Sequence, residues 1–212
     1  MTNYIDTAKK IIHEIKENNT IVDIQDEQGV KIGTLEPINE SFSGNTQITQ
    51  WLMEWRNNAL YAYLDRTPVT YEGTGRRLDK AIIKNDLRLL FFVKNLEWDF
   101  IGHIWLYSFD EDSESCEIDN VLRWIKKWPG IMTNSLVSLI KFAYEKMKIK
   151  NLYLRVLSNN TRAIELYRKE SFIDEKKIPL LLENIAWYNR FSEASEWNTN
   201  TEVCFLKMKY NK

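Results

Sequence analysis

Asn160 and Tyr167 are two side chains whose spacing would let them act on one small ligand. Asn160 follows residues 152–156, where apolar and polar residues alternate as in a strand, and Tyr167 comes seven residues later. Seven residues make two helical turns, so both side chains would lie on one face of a helix that begins at Asn160. The Asn160 amide could hydrogen-bond an amide-bearing ligand, Ala163 would leave space beside it, and the Tyr167 phenol could protonate a leaving group.

Each of these residues also has an ordinary structural explanation. Asn160 could simply cap the helix, Ala163 could be packing, and Tyr167 could be a core aromatic residue. The joint pattern favours function: Val156, Asn160, Ala163, Tyr167 and Phe172 follow V-x3-N-x2-A-x3-Y-x3-[GS]-F. This pattern resembles the strand, helix and strand that close the acetyl-CoA site in the GNAT superfamily of N-acetyltransferases. The resemblance implies that Asn160 and Ala163 contact pantetheine and that Tyr167 is the general acid.

Residues 118–135 form a second passage with possible chemistry, a strand-like run that leads through a basic loop into a helix. A helix N-terminus offers unpaired N–H groups and a partial positive charge, which favour a diphosphate. In the GNAT superfamily the motif [RQ]-x-x-G-x-[GA] occupies this place and binds the CoA pyrophosphate. The residues that match this loop are Lys127, Trp128, Gly130, Ile131 and Met132, with Lys in place of Arg or Gln and Met in place of the second small residue. Arg123 and Lys126 could add phosphate contacts; a solvated basic loop is the alternative.

The strand before this loop could carry both the thioester contact and the base. The resemblance implies that backbone groups of Val121 and Leu122, beside a bulge, pair with pantetheine, and that one N–H polarises the thioester carbonyl. The amine would then attack directly. As the base we favour Asp119, then Glu117 on the same strand face, then His103, whose imidazole ordinarily titrates near a pKa of about 6.5. All three could instead be surface or structural residues.

A third passage bears on the acceptor. Trp55, Arg56 and Asn57 form a W-R-N string on a predicted helix, which resembles GNAT enzymes that acetylate nucleotide-linked amino sugars. Arg56 could meet a phosphate and Trp55 a sugar ring, although Trp51 and Trp55 at four-residue spacing could also be core. Trp187 lies in an unusually apolar segment, residues 179–198, which we expect to be a helical insertion that lines an acceptor pocket or a dimer contact.

These residues need a framework of helices and strands to position them. Apolar spacing predicts helices over residues 2–17, 46–59, 74–85 and 132–147, and short apolar runs at 87–93, 100–109 and 116–122 predict an antiparallel meander. We predict residues 1–29 as an N-terminal helix and strand extension and residues 30–212 as a GNAT domain. The expected fold is mixed α/β (α+β), a mostly antiparallel central sheet flanked by helices.

Composition excludes several other classes of protein. The 29 Lys and Arg residues nearly balance 30 Asp and Glu, so a net charge of -1 gives no field to attract nucleic acid. Two cysteines, Cys116 and Cys204, and two histidines leave no pattern for a zinc site or a disulfide framework. No Rossmann or P-loop motif occurs. Without a membrane span or a signal-peptide core, we expect no membrane insertion and a cytoplasmic location.

The combined prediction is an acetyl-CoA-dependent N-acetyltransferase acting on a nucleotide-linked deoxy-amino-sugar for polysaccharide synthesis. The alternatives keep the fold and change the acceptor to a protein N-terminus or an antibiotic amine, or make the chain a non-catalytic acyl-CoA-binding module. A homodimer is possible, and we expect no metal.

Overall fold

The computed structural model describes residues 3–185 and 188–212, which form two compact units. Residues 3–44 and 77–152 make the first unit, and residues 45–76 and 153–212 make the second. Each unit combines antiparallel strands with helices. The predicted mixed α/β fold with mostly antiparallel strands is therefore confirmed.

The elements follow one another along the chain with short connections. The helices are α1 (Tyr4–Glu17), α2 (Thr46–Asn58), α3 (Tyr71–Arg77), α4 (Ile131–Glu145) and α5 (Thr161–Lys169). The strands are β1 (Val22–Gln25), β2 (Lys31–Pro37), β3 (Leu89–Asn95), β4 (Phe100–Asp110), β5 (Ser115–Arg123), β6 (Asn151–Leu157), β7 (Phe172–Ile185), β8 (Tyr188–Glu193) and β9 (Cys204–Tyr210). A π-helical segment, Leu78–Ile83, continues α3, where the sequence predicted one α-helix over residues 74–85.

The first unit is built on an antiparallel run of strands in the order β1-β2-β3-β4-β5. This confirms the meander predicted for β3, β4 and β5. Strand β3 is buried along nearly its whole length, which explains its continuous apolar sequence. Helix α4 covers one face of these strands, where Phe142 meets Phe91 edge to face at 5.5 Å between ring centroids.

The N-terminal residues pack within the first unit. Helix α1 buries Ala8, Ile12 and Ile15, the apolar stripe seen in the sequence. The Lys16 ammonium donates hydrogen bonds of 2.8–3.0 Å to three backbone carbonyls at residues 82, 83 and 85. Strand β1 pairs with β2. Residues 3–29 thus share the core of the first unit instead of standing apart from it.

The second unit pairs its strands antiparallel in the order β6-β9-β7-β8. The helix predicted over residues 179–198 was wrong: most of this segment forms the β7–β8 hairpin, with a short 3-10 helix at Glu196–Asn198. Its side chains pack at strand spacing, and Leu180 and Phe191 join Leu157 in a buried cluster. The run Leu180-Leu181-Leu182 has no clear period, so it did not distinguish a strand from a helix.

Neither unit contains, among its described residues, a helix with both the length and the apolar character needed to cross a bilayer.

Candidate active site

The loop between β5 and α4 is held in shape by Arg123. Its guanidinium donates to the carbonyl oxygens of Ile125 at 2.9 Å and Lys127 at 2.6 Å. These two bonds fix the backbone that leads into α4. These bonds use Nε and Nη2 of a group with five N–H donors, so the phosphate contact by Arg123 stays a prediction. Lys126 and Lys127 are exposed.

Helix α4 begins with the geometry of an anion site. Gly130 stands at its N-cap with φ +84°, a left-handed conformation that glycine adopts without a Cβ penalty. No side chain of the described chain caps this N-terminus. The Ile131 N–H donates to the Trp128 carbonyl at 3.4 Å, and a helix N-terminus without a side-chain cap offers its other first-turn N–H groups to a ligand. A helix of 15 residues also brings partial positive charge there. Gly130, the first turn of α4 and Lys127 thus fit a pyrophosphate, the group that acetyl-CoA would bring.

The Met132 side chain packs against strand β4, a contact that the sequence alone did not predict. Its side chain is 8% exposed, and its sulfur would lie 3.1 Å from a Cβ built on Gly102 in β4. The thioether therefore fills the space that the missing Gly102 side chain leaves on the sheet. The larger residue at this motif position is accommodated by a glycine on a neighbouring strand, a partner that sequence spacing gave no reason to select.

Strand β5 carries a bulge beside the predicted thioester contact. His103 pairs with Leu122 and Trp105 pairs with Asp119, so Asn120 and Val121 together oppose one β4 residue. Asn120 has φ +48°, a left-handed conformation that one type of β-bulge adopts. A bulge interrupts the ladder and frees backbone polar groups for a ligand. The geometry at Val121 and Leu122 is the kind that the resemblance implied.

The three predicted base candidates lie on one face of β4 and β5. Trp105 and Asp119 are direct cross-strand partners, as are Tyr107 and Glu117, and His103 lies two residues before Trp105. The Tyr107 hydroxyl donates to Glu117 Oε2 at 3.1 Å. The Asn120 amide donates to Asp119 Oδ2 at 2.6 Å. Both carboxylates are therefore oriented by a neighbouring donor.

His103 is a poor base in this environment. Burial, together with the charge of Arg77, lowers the pKa of His103 to about 3. Its ring meets Trp124 edge to face at 5.0 Å, and neither ring nitrogen has a hydrogen-bond partner among the described residues. The expectation that this imidazole titrates near neutrality is wrong because the side chain is buried. The sequence did not show this burial. Asp119 and Glu117 are the better placed candidates.

In the second unit, β6 leads directly into α5 and positions Asn160 and Tyr167. The Asn160 Oδ1 accepts the Ala163 N–H at 3.3 Å and caps the helix. This uses the acceptor end of the amide, so a ligand would meet the Nδ2 donor. Tyr167 is 8% exposed, and its ring meets Phe172 edge to face at 5.9 Å. Asn160 caps α5 and Tyr167 is buried with Ile164 on this helix, and a shared contact of Asn160 and Tyr167 with one ligand stays a prediction.

The W-R-N string has a structural role in the second unit. The Arg56 guanidinium lies 3.6 Å from the Tyr63 ring centroid and donates to the carbonyl of Asp65. The Asn57 side chain binds both backbone groups of Val69, at 3.0 and 2.8 Å. Arg56 and Asn57 therefore hold the segment that follows α2, which weakens the case for a direct phosphate contact by Arg56.

The two tryptophans predicted to contact the acceptor are Trp55 and Trp187. Trp55 is half-buried and stacks on Trp51 at 5.9 Å between ring centroids. Trp187 lies outside the described residues.

Both cysteines are free thiols, Cys116 in β5 and Cys204 in β9. Burial raises the pKa of the Cys116 thiol well above its ordinary value. Cys204 is half-buried. The part of the chain that the structure describes contains no group of three or more His, Cys, Asp or Glu residues placed to hold a metal ion.

Comparison with known proteins identifies the family. Residues 24–172 match the acetyltransferase (GNAT) domain, whereas no curated protein sequence matches the chain. Spermidine N-acetyltransferase from Vibrio cholerae, in complex with CoA and spermine, is 16% identical with a TM-score of 0.61, over 84% of this chain and 95% of that chain. RimL, a ribosomal-protein alpha-N-acetyltransferase, is 12% identical with a TM-score of 0.65, over 91% of this chain and 94% of that chain. Because the family match covers well over half of the chain, the protein belongs to the GNAT acetyltransferases and is an N-acetyltransferase that uses acetyl-CoA.

Proposed function

We propose that the chain acetylates the amino group of a nucleotide-linked deoxy-amino-sugar, with Asp119 as the base. The observation that carries this proposal is the shared face of β4 and β5, where Asp119 is the cross-strand partner of Trp105 and lies two residues before Val121. A carboxylate, an aromatic ring and a bulged backbone thus adjoin one another within the first unit. Trp105 is only 5% exposed, so its ring packs within the unit, and Asp119 is the group on this face that suits an amine.

When bound, acetyl-CoA supplies the thioester at which the new amide forms. Backbone N–H groups at Gly130 and in the first turn of α4, together with the Lys127 ammonium, would hold its pyrophosphate. Backbone groups of Val121 and Leu122 would orient its pantetheine arm. Of the remaining pantetheine contacts proposed from the motif, Asn160 would donate from Nδ2.

The proton transfers follow from the residue types. Asp119, with Glu117 as the second candidate, would accept the proton that the acceptor ammonium must lose, directly or through water. The amine nitrogen would then bond to the carbonyl carbon while the carbon–sulfur bond breaks, and the nitrogen would release its second proton to solvent as the neutral amide forms. Tyr167 would donate its phenolic proton to the departing sulfur and regain one from solvent. A backbone N–H near Leu122 would stabilise the charge that develops on the carbonyl oxygen.

The same fold serves other acceptors, as the spermidine and ribosomal-protein enzymes illustrate by their names. A panel of amines separates these possibilities. Release of free CoA thiol would be measured with UDP- and dTDP-linked amino sugars, spermidine, a peptide with a free N-terminus and an aminoglycoside, and each product confirmed by mass. The proposal requires that a sugar nucleotide give the highest kcat/KM; turnover confined to the peptide, polyamine or aminoglycoside would refute the sugar assignment.

Asp119→Asn tests the base. We expect kcat/KM to fall by about 10²-fold or more, because a positioned base typically contributes 10²–10⁴-fold. Asp112→Asn, a change at an exposed turn, is the matched control and should leave the rate unchanged. An equal rate in both variants would remove Asp119 from the mechanism and direct attention to Glu117.

We place the reaction in the cytoplasm, where acetyl-CoA and nucleotide-linked sugars are both made. A homodimer remains a prediction from the aromatic residues of 179–198.

A further inference from the structure

The Trp105 ring lies close to two arginine side chains in the first unit. The Arg77 guanidinium carbon is 5.6 Å from the ring centroid and the Arg88 guanidinium carbon is 5.7 Å from it. Arg88 also lies 6.0 Å from the Tyr107 ring. Both Trp105 distances fall within the range of cation–π attraction. We call these three residues, Arg77, Trp105 and Arg88, the arginine bracket.

The bracket has no carboxylate counter-ion. Within residues 3–185 and 188–212, no salt bridge joins Arg77 or Arg88 to an acidic side chain. Other basic residues do form such bridges, among them Lys94, Arg155 and Arg168. Two like charges at one ring repel each other, and an anion placed between them would relieve that repulsion. The positive charge of Arg77 also acts on His103, because it adds to burial in lowering the pKa of that imidazole.

The position of the bracket relates it to the proposed base. Trp105 is the direct cross-strand partner of Asp119, so the two side chains project from the same face of the sheet. A ligand lying across this face would meet a carboxylate at one end and two guanidinium groups at the other. An acceptor with an amine at one end and a phosphate at the other has the complementary charge pattern.

We propose that Arg77 and Arg88 bind the diphosphate of the acceptor and thereby set its specificity. This inference rests on the proposed function, and it assigns the phosphate contact to residues that the sequence did not single out. Arg56, the arginine expected from the W-R-N string, is already engaged with Tyr63 and the Asp65 carbonyl. Arg88 is half-buried and Arg77 is exposed, so a phosphate could reach the pair from solvent.

A binding experiment tests the bracket without relying on catalysis. The chain is first saturated with CoA, so that the pyrophosphate loop before α4 is filled, and UDP, dTDP and inorganic pyrophosphate are then titrated by calorimetry. We expect both nucleotides to bind, and the Arg77→Gln/Arg88→Gln double variant to bind them at least tenfold more weakly. Arg76→Gln, an exposed neighbour without a ring contact to Trp105, is the matched control and should bind within twofold of the unmodified chain. If pyrophosphate binds as tightly as the nucleotides, Arg77 and Arg88 contact the diphosphate and the nucleoside adds no affinity.

Absence of nucleotide and pyrophosphate binding to the CoA-saturated chain would overturn the inference, as would equal affinity in the double variant and the unmodified chain. Kinetics then separate this failure from failure of the proposed function. With a nucleotide-linked amino sugar, the double variant should show a raised KM and a nearly unchanged kcat, while kcat/KM for a phosphate-free amino sugar stays the same. If the unmodified chain acetylates only phosphate-free amines, the sugar-nucleotide assignment fails whatever the calorimetry shows.

Discussion

Gly102 lies so close to the neighbouring strand that a single added methyl group should lower the free energy of unfolding. The distances in the structure indicate how large this loss should be. A Cβ built there would lie 2.1 Å from the Leu122 carbonyl oxygen and 3.1 Å from the Met132 sulfur. The thioether can move, but the carbonyl oxygen belongs to the backbone of the neighbouring strand. Gly102→Ala must therefore push β5 away from β4 beside the bulge.

Overpacking a core typically costs 1–3 kcal/mol, and a clash with backbone belongs at the upper end, so we expect Gly102→Ala to lower the free energy of unfolding by about 3 kcal/mol. For a chain of this size, that corresponds to a fall in Tm of roughly 6–12 °C. Differential scanning calorimetry with and without acetyl-CoA measures it. Because the Leu122 backbone is a proposed pantetheine contact, the stabilisation by acetyl-CoA should also shrink.

Two further variants make this prediction refutable. Gly75→Ala is the control, since its Cβ would meet only Thr49 Cγ2 at 3.6 Å within a helix, and its Tm should hold or rise. Adding Met132→Ala to Gly102→Ala should not restore stability, because it removes the sulfur contact and leaves the carbonyl contact. A fall in Tm below 2 °C for Gly102→Ala, or full rescue by Met132→Ala, would show that the close strand approach is not the constraint we infer.

Three other changes test separate parts of the structure. Tyr167→Phe should lower kcat by about 10²-fold with little change in Tm, and an unchanged kcat in a thiol-release assay would exclude the phenol as the acid. Because burial holds the pKa of His103 near 3 against about 6.5 in the unfolded chain, the folded state binds fewer protons and loses stability as pH falls. Between pH 7.5 and pH 5 the unmodified chain should lose about 2 kcal/mol more than His103→Gln in urea unfolding, and parallel losses would contradict the burial argument. Asn57→Ala removes two hydrogen bonds to Val69 and should cost about 1–3 kcal/mol in thermal unfolding, with the KM for acceptor nearly unchanged; a KM effect without a stability effect would restore Asn57 to substrate binding.

The sequence was sufficient to predict features that depend only on residues close together along the chain. The stripe of Met132, Leu136 and Leu139 predicted α4, and Asn160 followed by an amphipathic turn predicted the cap and the start of α5. A seven-residue spacing fixes a helix face, and alternation fixes a strand face, whatever the rest of the chain does. For the same reason Glu117 and Asp119 could be placed on one side of β5 before any strand pairing was known.

Interactions between distant segments required the tertiary structure. Only the packing of β4 against α4 pairs Gly102 with Met132, and only burial beside Trp124 and Arg77 removes His103 from the list of bases. The arginine bracket joins residues 77, 88 and 105, whose separations along the chain follow no helix or strand period. Burial and pair distances depend on which strands become neighbours, and that depends on contacts summed over a whole unit. The sequence therefore determined the elements and the motif residues, while the structure decided their partners, charges and protonation.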